Sequence, residues 1–302
     1  MQIDQINMIH NLIYLIETNI REELDLDEIA NQTGFSKYYI DRLFKAITGK
    51  TLINYVRGRR LTLSLDDLVN TRLNIIDIAQ EYQFSYEQTY IRAFKQQFGM
   101  TPAQYRRSHC NMAKVNTLDI SNLYLDGNGL LTEPKMCTLP QLYLQGIEKE
   151  IEHSHNYFHQ DTNQLVKEWS NNYFPHIKNV VEPSVYIGYV QYTHHPYGRT
   201  YSACTEVKEP AYTVPPVKNY TIPAQEYAMF KYVGLHSPYD ITFKTLQSLY
   251  NRINHWREKN EVKTAGFHIE RLEMKKCDAN YCEMDIYIPV HLEMSEMENG
   301  IC

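Results

Sequence analysis

Two stretches of the chain, YIDRLFKAITGKTLINYVR (39–57) and YIRAFKQQFGMTPAQYRR (90–107), set arginine, lysine, amide and tyrosine side chains at matching intervals. Arg42, Phe44, Lys45, Gly49, Thr51, Tyr55 and Arg57 recur fifty residues on as Arg92, Phe94, Lys95, Gly99, Thr101, Tyr105 and Arg107. Upstream, Ile29-Ala30 and Phe35-Ser36 recur as Ile78-Ala79 and Phe84-Ser85 at a spacing of 49, so one residue is inserted just after the serine. Arginine pairs bidentately with guanine edges and glutamine with adenine edges, while lysine and further arginines hold phosphate. The charge distribution fits that chemistry. Formal charge is −6 overall, but residues 36–110 hold twelve bases and six acids, while 1–35 and 111–302 are each net acidic. Only the middle block has the electrostatics for a phosphate backbone.

The elements that must position these side chains read as helix, tight turn, helix, twice. LDEIANQTGF puts Leu26, Ile29 and Ala30 on one face before Gly34, a turn residue, and Ser36 is a natural N-cap for the next helix. That helix buries Tyr39 or Ile40, Leu43, Phe44 and Ile47 and leaves Lys37, Tyr38, Asp41, Arg42 and Lys45 outside. The second copy buries Ile91, Phe94 and Phe98 and exposes Glu87, Gln88, Arg92 and Gln96. Between the copies, Leu52, Val56, Leu63, Leu65, Leu68 and Val69 approximate a helical stripe. A helix of that length spans about 30 Å, near the ~34 Å of one DNA turn, so both second helices could enter successive major grooves. Gly58 interrupts this helix, and a bend is expected there.

These residues resemble the DNA-binding domain of the AraC/XylS family, in particular its Rob-like branch, over about residues 5–108. The resemblance implies two helix-turn-helix units joined by a linker helix, binding double-stranded DNA as a monomer. Carried over position by position, it implies DNA contacts from Ser36, Lys37, Tyr38, Asp41, Arg42 and Lys45 in the first unit, and from Glu87, Gln88, Thr89, Arg92 and Lys95 in the second. Asp41 and Glu87 stand where glutamine is typical, and Gln83 where glycine is common. The DNA sequence preferred by that branch is therefore not carried over to this chain.

Residues 108–135 are polar and irregular, which sets the expected organisation as a DNA-binding domain at 1–110, a linker at 111–130 and a second domain at 131–302. A weaker duplication follows. LPQLYLQGIEKEIEH and IPAQEYAMFKYVGLH are proline-led strands, each followed by a helix ending near a tryptophan. Phe158, Leu165, Val166, Trp169 and Tyr173 share a face in one, and Phe243, Leu246, Leu249, Tyr250, Ile253 and Trp256 in the other. Two strand-helix-strand-strand units predict an α+β fold. The pattern resembles the GyrI-like effector-binding domain, which implies a small-molecule cavity between the halves and an acidic residue, here Glu270, on a strand facing it. Seventeen of the 25 tyrosines and both tryptophans lie after residue 110. Alternation puts His268 with Glu270, and Tyr186 and Tyr192 with Gly188, where the missing side chain would leave room for a ligand. Trp169, Tyr186, Tyr192, Trp256, His268 and Glu270 are the expected ligand-binding set, suited to a cationic or amphiphilic effector. The alternative for Glu270 is a solvent-facing strand residue.

The six cysteines form no Cys-x-x-Cys pair and read as reduced thiols. His153, His155, His159, His194 and His195 match no zinc spacing, and no phosphate loop or nucleophile elbow is present. No cofactor or metal is expected. The expectation is a cytoplasmic, non-enzymatic transcription regulator of activator type, with RNA polymerase as a partner and no membrane association. The alternatives make the second domain a hydrolase of small electrophiles, with Glu270 as general base, or a protein-docking module.

Overall fold

A computed structural model describes residues 3–33, 36–108, 110–118, 124–126, 129–193, 198–234, 236–263 and 266–290. The chain divides into two units, 1–122 and 123–302.

The first unit is helical: α1 (Ile3–Thr18), α2 (Leu26–Thr33), α3 (Lys37–Thr48), α4 (Leu52–Asn70), α5 (Ile75–Glu81), α6 (Glu87–Phe98) and α7 (Pro102–Ser108). The repeat is visible in its backbone. Gly49 and Gly99 end α3 and α6 with φ of 75° and 76°, and their N–H groups bond to Lys45 O and Lys95 O. Glycine reaches this left-handed geometry without strain, which is why both copies carry it. The inserted residue moves the second helix start: Ser36 caps α3 by accepting from Tyr39 N, whereas Tyr86, not Ser85, precedes α6. Gly34 and Phe35 lie outside the described residues.

Helix α4 holds the unit together. On the α6 side, Leu61, Leu65 and Leu68 meet Ile78, Tyr82, Tyr90 and Phe94 in one apolar cluster, and Ser64 Oγ lies 2.8 Å from the buried Tyr90 hydroxyl. Val69, expected in the stripe, is 39% exposed, and Leu63 only borders the cluster. Gly58 lies within the continuous helix α4. A Cβ there would sit 3.1 Å from Val115 Cγ2, so its missing side chain lets the segment after α7 pack close to the helix. Arg59 Nη1 donates to Val115 O at 2.7 Å, and Thr62 Oγ1 accepts from Val115 N at 3.0 Å. The stretch 111–130, expected as a linker, is therefore divided: its first part is bonded to α4, and its second part carries the strands β1 (Tyr124–Asp126) and β2 (Gly129–Leu131).

The second unit continues with β3 (Lys135–Leu139), β4 (Leu142–Glu152), α8 (His153–His159), α9 (Asp161–Glu168), β5 (Val185–Tyr192), β6 (Gly198–Val207), β7 (Lys218–Ile222), β8 (Gln225–Gly234), α10 (Phe243–Lys259), β9 (Phe267–Glu273) and β10 (Cys282–Pro289). Among the described residues its sheet runs β1-β2-β8-β10-β9-β5-β6-β4-β7, with β3 also on β8. The expected duplication is there: β4-helix-β5-β6 and β8-α10-β9-β10 join at the antiparallel β5–β9 pair. The leading strands are exchanged, β3 pairing with β8 and β7 with β4. One expectation fails. Gln160, at φ 54°, breaks the first helix into α8 and α9, so Phe158 does not share the face of Leu165 and is 76% exposed.

Candidate functional site

Helices α3 and α6 carry the duplicated polar surface. On α6, Gln88, Thr89, Arg92, Lys95 and Gln96 are exposed, while Tyr90 and Phe94, fully buried, fix the other face. Glu87 is half-buried in the first turn of α6, where a carboxylate complements the helix dipole. On α3, Tyr38 is 70% exposed and the Arg42 guanidinium lies 5.3 Å from its ring centre, a stacked pair on the outer face. Lys45 is exposed one turn on. Two of the expected contacts have internal work. Asp41 Oδ1 accepts from Leu52 N at 2.9 Å and so caps α4. Lys37 pairs with Asp27 at 2.9 Å, an exposed pair of small energetic value.

Part of the basic charge is likewise internal. Arg59 forms a fork with Glu17, Nε to Oε1 at 2.9 Å and Nη2 to Oε2 at 2.7 Å, and Tyr55 donates to the same carboxylate. Burial pushes the Glu17 carboxyl up, but hydrogen bonds from Arg59 and Tyr55 and the guanidinium charge leave it below its ordinary value. Arg60 and Arg106 bond backbone carbonyls of Ile20, Glu22, Leu68 and Leu73. Gln83 holds a positive φ of 61° where glycine would be unstrained, and its Nε2 donates to Arg21 O at 2.7 Å.

The second candidate is a cavity of about 390 Å³ in the strand-rich unit, of a size typical for small ligands. Its wall includes Trp169, Tyr186, Arg199, Tyr201, Tyr250 and Glu270. Glu270 is 6% exposed at the centre of the sheet, which excludes the solvent-facing alternative. Tyr201 Oη donates to its Oε2 at 2.9 Å, and Tyr250 Oη donates to Oε1. Tyr186 and Tyr201 hydroxyls lie 3.1 Å apart. His268 Nε2 is 3.5 Å from Glu270 Oε1, and its Nδ1 is 2.9 Å from Tyr192 Oη. Burial pushes His268 down, toward the neutral imidazole. Burial pushes Glu270 up, but the hydrogen bond and charge of His268 and the hydroxyls of Tyr250 and Tyr201 outweigh that and hold it below the usual carboxylate range. The hydroxyls of Tyr201 and Tyr250 and the Nε2 of His268 all lie against Glu270.

Of the six residues expected to bind ligand, Trp169, Tyr186 and Glu270 lie on the cavity wall, and His268 stands beside Glu270. Tyr192 stands behind His268, 39% exposed, rather than on the cavity wall. Trp256 is displaced altogether, packing edge-on against Phe230 at 5.3 Å between centroids. Gly188 pairs with Glu270 across β5 and β9, but the space it leaves is filled from within: a Cβ there would lie 2.5 Å from Tyr201 Oη and 2.9 Å from Glu270 Oε2. Alternation along β5 and β9 could not disclose Tyr201, Tyr250 and Arg199, which arrive from β6 and α10. The histidines of α8 engage neighbours: His155 Nδ1 lies 2.5 Å from Asp161 Oδ2, and His153 Nε2 accepts from Arg199 Nε at 2.8 Å. Among the described residues no cluster of histidine, cysteine and carboxylate could hold a metal ion. His194 and His195 lie outside the described residues.

Comparison with known proteins gives two family matches: a helix-turn-helix domain over residues 29–108 and the GyrI-like small molecule binding domain over 132–291. The Transposon Tn10 TetD protein of Escherichia coli is 44% identical over 101 residues, 33% of this chain and 73% of that protein. The Regulatory protein SoxS of Escherichia coli is 39% identical over 99 residues, 33% of this chain and 92% of SoxS. The Transcriptional regulator Rob of Salmonella typhimurium is 44% identical over 105 residues, 35% of this chain, and the match spans just over a third of Rob, 36%.

Proposed function

From a chain that belongs to the GyrI-like small molecule binding domain family and carries a helix-turn-helix domain of AraC type, we infer a DNA-binding transcription regulator whose second unit senses a small molecule. The observation that carries the sensing role is the cavity closed around the buried Glu270, whose carboxylate accepts from Tyr201 and Tyr250 and keeps acceptor sites beyond those two. A carboxylate whose two oxygens already accept phenolic protons is a poor general base, so the cavity favours binding over turnover. It is walled by aromatic rings, which suits a ligand with an apolar body and a cationic or hydrogen-bond-donating end.

On the DNA side, Arg92, Gln88 and Thr89 read bases from α6, and Arg42 with Tyr38 reads from α3. Lys45 and Lys95 hold phosphate. Activation through RNA polymerase and residence in the cytoplasm complete the reading. Among the described residues, no helix is long and apolar enough to cross a membrane. Ligand gating requires that the effector bind the DNA-competent and incompetent states with different affinity. The test is genomic mapping of bound sites, followed by transcription of those promoters with purified polymerase. Site-specific binding with increased transcript supports the reading. Binding without sequence preference contradicts it.

A further inference from the structure

The cavity is not electrostatically simple. Its wall carries three charged side chains, the buried Glu270 and two cations, Arg199 and the exposed Lys167. Arg199 projects from β6 over two rings, its guanidinium carbon 5.1 Å from the Phe243 centre and 5.7 Å from the Tyr250 centre. Its Nε donates to His153 Nε2, a neutral acceptor, since burial and the nearby guanidinium push His153 down. Among the described residues no carboxylate lies within ion-pair distance of Arg199. Tyr250 stands between the two charges, with its hydroxyl on Glu270 and its ring near the guanidinium.

A purely cationic ligand attracted by Glu270 would meet two like charges on the same wall, and a purely anionic one would meet a desolvated carboxylate. Both conflicts vanish if the ligand carries one charge of each sign. The cavity also contains an orphaned polar group: Thr205 Oγ1 is buried on its wall and, among the described residues, has no hydrogen-bond partner. A ligand with more than one polar end would complete it.

We propose that the cavity is built for an amphoteric ligand, an apolar or aromatic body whose ammonium-like end meets Glu270 and whose carboxylate- or phosphate-like end meets Arg199. The inference rests on the sensing role given to this cavity and names the chemical class that it senses. Arg199 is then the residue that separates amphoteric ligands from simple cations.

The test uses three probes differing only in charge: 4-(aminomethyl)benzoate, benzylamine and benzoate. Each is titrated calorimetrically into the full-length protein. The expected result is that 4-(aminomethyl)benzoate binds about tenfold or more tighter than either single-charge probe, the scale of one charge-assisted hydrogen bond. Arg199→Gln should remove most of that preference without weakening benzylamine, and Arg199→Lys should keep part of it. The wild-type ranking decides the matter even if Arg199→Gln fails to fold. Benzylamine binding as tightly as the amphoteric probe would overturn the inference and leave the cavity a cation sensor. Binding of none of the three at millimolar concentration would overturn the sensing role together with it.

Discussion

Gly188 and Glu270 face one another across the β5–β9 pair, where the two halves of the strand-rich unit meet. The glycine is required by the acid's own hydrogen-bond partner, because a Cβ at 188 would fall 2.5 Å from Tyr201 Oη. Gly188→Ala should therefore push Tyr201 off Glu270. The expected cost is about 1–3 kcal/mol of stability, the usual range for overpacking a filled core. Chemical denaturation of the variant reads it, and an unchanged midpoint would mean that the sheet yields freely at this position.

Glu270→Gln keeps the shape and removes the charge. Amphoteric or cationic probes should lose about 1.5–3 kcal/mol of binding, while DNA affinity without ligand stays as in the wild type. The pH dependence has a definite sign. A carboxyl held below its ordinary value in the folded chain adds stability that is present above its unfolded pKa and lost as pH falls through the folded value. Thermal scans from neutral pH downward should show this loss in the wild type and a shallower one in Glu270→Gln.

Asp41 and Arg92 separate a structural role from a reading role on the same duplicated surface. Asp41→Ala removes the acceptor for Leu52 N and should cost about 1 kcal/mol of stability, with little effect on which sequence is preferred. Arg92→Ala should leave stability alone and weaken specific binding by about 1–3 kcal/mol. Equal losses on specific and random DNA would reduce Arg92 to a phosphate contact.

The fork between Glu17 and Arg59 ties α1 to α4, with side chains only 18% and 10% exposed. Glu17→Gln strands a mostly covered guanidinium, at an expected cost of about 2 kcal/mol, below the range for a fully buried pair because both groups keep some solvent. The Glu17 carboxyl is also depressed, so the helical unit too should lose stability as pH falls below the ordinary carboxylate range. An acid-insensitive melting point would contradict this.

What the sequence disclosed follows its periodicities. The fifty-residue repeat located α3 and α6, their glycine C-caps and their buried phenylalanines, because helix pitch and turn geometry are local. Strand alternation placed Glu270 and His268 on one face for the same reason. Asp41 escaped because its partner, Leu52 N, belongs to the next helix, and an outward-facing acid and a capping acid look alike in sequence. Tyr250 was legible only as a member of an apolar face, since nothing local shows its hydroxyl meeting Glu270. Trp256 was misplaced because six residues past Tyr250 a helix has turned by about 120° relative to it, toward Phe230 rather than the cavity.

We expect one chain to present two reading helices, α3 and α6, on the common rod of α4. Helix α4, 19 residues long, spans about 28 Å, close to one turn of DNA at ~34 Å. The direct measurement is the stoichiometry and footprint of the complex at a genomic site, by analytical ultracentrifugation and hydroxyl-radical cleavage on the same fragment. The expected result is one protein per site, protecting two successive major grooves of unlike sequence. Two proteins on a palindrome, each protecting a single groove, would contradict it.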